Sequence, residues 1–219
     1  MATKETKITG VLSPVERFSE ILFGLIMTLS ITGTVSVVKG GREEVGTILL
    51  GVVGCNIAWG IIDAVLYLLG TVSEHGREYR LYNLVQQTRD LEKTRAAIVE
   101  VLPPQIAAVL LPEDLDAIRQ RLANLPERPH RKVMTVQDLA GAGGVFLLVV
   151  LSCIPLIIPF FFIVDPLPAL RLSNAVAILM LFVGGFFLAK YARLPKILTG
   201  TVMVVVGALM VGITVALGG

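Results

Sequence analysis

Five separate stretches of about 20 mainly apolar residues restrict this chain more than any other feature, because a helix of that length crosses the hydrocarbon of a bilayer. They run Phe18–Val38, Gly46–Gly70, Gly141–Ile163, Leu172–Tyr191 and Ile197–Leu217. In lipid every backbone polar group must be satisfied inside the protein, which leaves helices or closed barrels. Barrel strands would alternate over about 10 residues, and none of these stretches does. Composition agrees: 54% of residues are apolar and 16% charged, against about 25% charged in soluble domains. The sequence predicts an all-α integral membrane protein with five transmembrane helices, two before and three after a charged segment. Residues 1–70 form the N-terminal tail and helices one and two. Residues 71–138 form a cytoplasmic helical hairpin, and residues 139–219 the last three spans.

Loop charges predict orientation, since cytoplasmic loops collect Lys and Arg. Lys4, Lys7, Arg17, ten basic residues from Arg77 to Lys132, and Lys190, Arg193 and Lys196 fall on one side. Lys39, Arg42 and Arg171 fall on the other. The N-terminus is expected in the cytosol and the C-terminus across the membrane, with the inner membrane of a bacterium as the expected location. Met1–Pro14 lacks the apolar core of a secretory signal, so the first span is expected to persist in the mature protein. Cys55 and Cys153 sit in apolar runs and imply no disulfide framework.

Between the second and third runs, Leu81, Leu84, Leu91, Ile98 and Leu102 predict one amphipathic helix that ends at Pro103–Pro104. A second helix is expected from Pro112, with Glu113, Asp114 and Asp116 in its first turn, where the helix dipole favours negative charge. Its stripe is Leu115, Ile118, Leu122 and Leu125. Pro126–Lys132 reads as a linker, and Thr135 as the cap of the third span. Pro155 and Pro159 are expected to break or kink that span. Glycines 51, 54, 184 and 185 are expected at close helix contacts.

A faint repeat appears on shifting the chain by 154 residues. Arg17-Phe-Ser19 then meets Arg171-Leu-Ser173, Gly46-Thr47 meets Gly200-Thr201, and Arg42 meets Lys196. Three spans separate the copies, which would give them opposite orientations, as in many secondary transporters.

Ionisable groups in a membrane helix cost roughly 2.5–3.5 kcal/mol or more and favour bundle interiors or aqueous paths. Asp63 lies about 10 Å into the second run, at 1.5 Å per residue. Glu20 is shallow enough to reach the interface or to pair with Arg17. Asn56, Gly60, Asp63 and Tyr67 share one face of the second helix. Glu20, Gly24, Met27, Ile31 and Thr34 share one face of the first. Antiparallel pairing would bring Met27 and Asn56 to similar depth. Asp63, Asn56, Met27 and Glu20 are therefore candidate ligands for a partly dehydrated divalent metal. The competing reading makes Asn56 and Asp63 interhelical hydrogen-bonding groups. No phosphate-binding loop, dinucleotide fingerprint or hydrolase motif occurs, so an enzyme is not expected, nor is a permanently bound cofactor.

The order of parts, with Ile21-Leu-Phe-Gly-Leu25, Ile154-Pro-Leu-Ile-Ile-Pro-Phe160, Gly200-Thr-Val-Met203 and Ile213-Thr-Val-Ala-Leu-Gly218, resembles the vacuolar iron transporter family. The resemblance touches most of the membrane part. It implies a homodimer that moves ferrous or related divalent ions out of the cytosol in exchange for protons, along the first two helices. This chain departs from the pattern at the ion path. Ile26 and Met27 stand where the family has an Asn-Asp pair, Asn56 stands for a glutamate, and Asp63 for a serine. The expected function is a proton-coupled cation transporter, iron and manganese being possible substrates. The rival expectation is a non-transporting membrane scaffold or regulatory protein that binds partners through its cytoplasmic helices. No nucleic acid is expected as a partner.

Overall fold

The computed structural model describes residues 12, 14–35, 42–88, 90–125 and 134–216. Every regular element among them is helical: α1 (Pro14–Val35), α2 (Arg42–Gln87), α3 (Leu91–Val101), α4 (Pro104–Ala107), α5 (Pro112–Ala123), α6 (Val136–Ser152), α7 (Ile154–Ile157), α8 (Pro159–Phe162), α9 (Pro166–Ala192) and α10 (Lys196–Ala216). Three stretches, Val45–Gln87, Val136–Phe162 and Pro166–Ala192, are long and apolar enough to cross a membrane, and Lys196–Met210 is a shorter apolar helix. Such helices mark the chain as a membrane protein. The contacts divide it into two compact units, Met1–Tyr67 with Gln137–Gly219, and Leu68–Val136.

In the first unit α1 lies at the centre. Leu22, Leu25 and Leu29, one face of α1, are buried with Leu156, Ala177 and Leu181 of α7 and α9. Lipid is as apolar as leucine, so this core gains from van der Waals packing more than from leaving water. Helix direction follows from the pairs in contact. Phe18 stacks on Phe187 with ring centroids 5.8 Å apart, and Thr32 Oγ1 donates to Asn174 Oδ1 at 3.0 Å, so α1 and α9 are antiparallel. Phe23 meets Trp59 edge-on at 5.6 Å and Thr28 meets Asn56 at 3.1 Å, so α2 is antiparallel to α1 as well. Gly185 and Gly200 bring α9 and α10 together, and a Cβ on Gly185 would lie 3.0 Å from both Gly200 Cα and the Thr199 carbonyl. Glycines 51 and 54 differ from expectation, since a Cβ on either would meet nothing within 4 Å.

The two prolines of the third apolar run break it into α6, α7 and α8. Neither Pro155 nor Pro159 can donate to the residue four positions earlier. The Leu156 carbonyl at this break accepts the Ser173 hydroxyl of α9 at 2.7 Å.

The second unit contains the end of α2 with α3, α4 and α5. One long helix through Leu81 and Leu102 is not what forms. α2 ends at Gln87 and α3 starts afresh at Leu91, because Asp90 caps the new helix by accepting the Lys93 N–H at 3.2 Å. The Pro103–Pro104 stop and the Pro112 start occur as expected. Leu115 is buried, whereas Leu125 lies beyond the helix and is 45% exposed. Arg95 ties α3 to α5 with two bonds to Asp116, Nε to Oδ1 at 3.0 Å and Nη2 to Oδ2 at 2.6 Å. The guanidinium holds the Asp116 carboxyl below its usual range, and Asp116 in turn raises the Arg95 value. The Pro126–Lys132 linker lies outside the described residues.

Candidate functional site

The polar groups of the first unit gather where α1, α2 and α6 meet. Gly24 permits the approach. A Cβ there would collide with Ser152 Oγ, and would lie 2.8 Å from the Val149 carbonyl and 3.3 Å from Asn56 Oδ1. One turn later on the same face, Thr28 donates its hydroxyl to the Gly24 carbonyl at 2.9 Å. Thr28 Oγ1 also accepts Asn56 Nδ2 at 3.1 Å. The same Nδ2 donates to the Val52 carbonyl at 2.9 Å. Both amide hydrogens of Asn56 are thereby used, and its identity as donor is fixed by the carbonyl it faces. Asn56 is fully buried, and its Oδ1 has no hydrogen-bonding partner. Ser152 Oγ, the nearest hydroxyl across Gly24, donates to the Val149 carbonyl at 2.7 Å instead.

Two turns further along α2 stands Asp63, whose Oδ2 is buried without a hydrogen-bonding partner. Glu20 of α1 lies close enough to feel its charge, and Glu16 adds to the repulsion. Arg17 does not relieve the pair; its Nε donates to the Leu12 carbonyl at 3.1 Å. Three of the four residues on the shared face of α2 meet neighbouring helices. Asn56 meets α1, a Cβ on Gly60 would lie 3.0 Å from the Phe146 ring, and Tyr67 packs on Gly141.

The four candidate ligands do not converge on one point. Asn56 and Asp63 are seven residues apart on one helix, about 10 Å along its axis, whereas metal–oxygen bonds are about 2.0–2.6 Å. Met27 is half-buried, but its neighbour Thr28 takes the position facing Asn56. No group of three or more His, Cys, Asp or Glu that could hold a metal ion occurs among the described residues. The seam instead offers two separate stations, the carboxyls of Glu20 and Asp63, within electrostatic range of each other, and the neutral oxygens around Asn56. Thr28 and Ser152 are the site residues that charge-based reading of the sequence missed. Thr28 follows Gly24 by four positions on one helical face, and that spacing was the available signal.

No family model matches the chain, and no curated protein matches it.

Proposed function

We propose that the chain is a five-span membrane protein that moves a cation along the α1–α2 seam in exchange for protons. The observation that carries this reading is Asp63, a carboxylate with an unpartnered buried oxygen, on a helix apolar enough to cross a membrane and within electrostatic range of Glu20. Such a group is costly in lipid and is retained where ions or protons pass. In this reading the Glu20–Asp63 pair exchanges protons for the cation at the cytoplasmic end. Asn56 Oδ1 offers the next oxygen deeper in the seam. A divalent metal would be a substrate that visits these stations in turn, because they lie too far apart to chelate it together. In this reading the chain has the scaffold implied by its likeness to vacuolar iron transporters, without that family's iron ligands.

The partner we assign is a second copy of the chain, docked on α2. Only 18% of the apolar window of α2 is buried, against 33% in each of the other two apolar stretches, and Gly51 and Gly54 leave a smooth surface for close helix approach.

Proteoliposomes test the function directly. Proton movement driven by iron, manganese, cobalt or zinc should be present in the wild type and abolished by Asp63→Asn. Undiminished flux in that variant rejects Asp63 as the exchanging group. A folded protein that moves none of these ions supports the scaffold reading instead. That alternative draws on the second unit, where α2 and α3 enclose a cleft of about 790 Å³ edged by Arg77, Arg80 and Glu100.

A further inference from the structure

The turn from α9 to α10 joins two features that neither helix packing nor the seam uses. The first is positive charge. Lys190, Arg193 and Lys196 fall within one short stretch, and among the described residues none of them is ion-paired to a carboxylate. Two of them are held against rings, Lys190 Nζ 5.9 Å from the centroid of Tyr191 and Lys196 Nζ 5.6 Å from that of Phe186. Arg193 caps α9 in the left-handed conformation, with φ 55°. The second feature is an open groove of about 690 Å³, walled by Phe186, Ile197, Leu198 and Thr201, with Lys196 at its lip. Ile197 is 72% exposed and Leu198 60%.

We infer that this groove binds one anionic phospholipid, with the phosphate held by Lys196 and Arg193 and an acyl chain laid along Phe186, Ile197 and Leu198. Charge and apolar surface complement such a lipid at one place. Unpaired cations at a membrane surface attract anionic headgroups. An apolar wall beside them offers nothing to a free phosphate but suits a hydrocarbon chain. Cation–ring contacts orient the lysines, which distinguishes a fixed site from diffuse attraction to a charged bilayer. The inference rests on the membrane character of the chain and does not depend on the cation path.

The experiment follows lipid retained by the full-length protein through stepwise delipidation in detergent, read by native mass spectrometry. The lipids are phosphatidylglycerol and phosphatidylcholine, and inorganic phosphate is added as competitor. The wild type is expected to keep about one phosphatidylglycerol per chain, while Lys196→Gln with Arg193→Gln retains it about thirtyfold less, as removal of two headgroup cations implies. Leu198→Trp, which fills the groove and leaves every charge in place, should also release the lipid. Lys93→Gln with Arg77→Gln changes net charge equally in the second unit and should have no effect. Equal loss in that control pair, or equal retention of phosphatidylcholine, would reduce the effect to bulk charge and overturn the site. Displacement by inorganic phosphate would overturn the acyl-chain part, and unchanged retention in both α10 variants would overturn it entirely.

Discussion

Asn56 of α2 donates to Thr28 of α1 at 3.1 Å while its own Oδ1 stays buried and unpaired. One bond across the seam is thus made, and one acceptor is left waiting. Removing Thr28 Oγ1 alone strands part of the Asn56 amide, so Thr28→Val should destabilise the protein. Pairing it with Asn56→Leu should cost less than the two single changes together. The expected coupling is about 0.6–1.7 kcal/mol, the range for hydrogen bonds between membrane helices. Thermal unfolding in detergent of the four members of the cycle measures it, and strict additivity would show that the bond contributes nothing.

Gly24 is the steric condition for that seam. Gly24→Ala places a methyl group against Ser152 Oγ and 2.8 Å from a backbone oxygen that cannot turn away. The variant should lose about 1–3 kcal/mol, as overpacked cores do. Adding Ser152→Gly should return only part of the loss, because the Val149 carbonyl remains. Full recovery would mean that the side chain alone limits the approach.

The Arg95–Asp116 bridge makes the second unit sensitive to acid. Asp116 titrates below its ordinary value of 3.8 when folded. Its contribution is therefore complete above that value and lost as pH falls through the lower folded one. The raised Arg95 value acts in the opposite sense and matters only in strong alkali. Protection against hydrogen exchange over 91–123 in the intact protein, taken relative to the intrinsic rate at each pH, should fall at the acid end of the titration. Arg95→Gln should already exchange faster at neutral pH and respond less to acid. Equal acid responses in variant and wild type would assign the effect to other carboxylates.

Arg193 occupies a backbone conformation that glycine adopts without steric cost. Arg193→Gly should raise stability by about 1 kcal/mol, near the lower end of the left-handed penalty for residues with a Cβ. Unfolding of the two proteins in the same detergent decides it, and a drop in stability would show that the arginine side chain outweighs its backbone strain.

Much of the helix plan was legible because the apolar runs are long and the stop signals strong. Pro103–Pro104, Pro112, Pro155 and Pro159 each mark a boundary in the structure, since a missing N–H leaves a helix no choice. The break at Asp90 was less visible. Its leucine spacing continues across positions where a capping carboxylate was competing for the same backbone. Glycine roles were half legible, because the sequence shows a small residue but not which neighbour approaches it; Gly24, Gly60 and Gly141 hold contacts that 51 and 54 do not. In the site, Asn56 and Asp63 announce themselves by polarity. Thr28 and Ser152 do not, because hydroxyls in apolar helices commonly bond their own backbone. Which hydroxyl meets a neighbouring helix depends on rotation about the helix axis, and an error of one residue, about 100° of rotation, suffices to exchange Met27 for Thr28.

The break at Pro155 and Pro159 has a mechanical meaning. A continuous helix carries load along its own ladder of bonds; this one is a jointed strut, and the pin through its joint is the Ser173 hydroxyl on the Leu156 carbonyl. The strut's α6 segment bears on the seam through Ser152, and its α7 and α8 segments bear on α9. Any motion that draws α9 away pulls the pin, so the joint is held in part by a neighbour rather than by the strut alone.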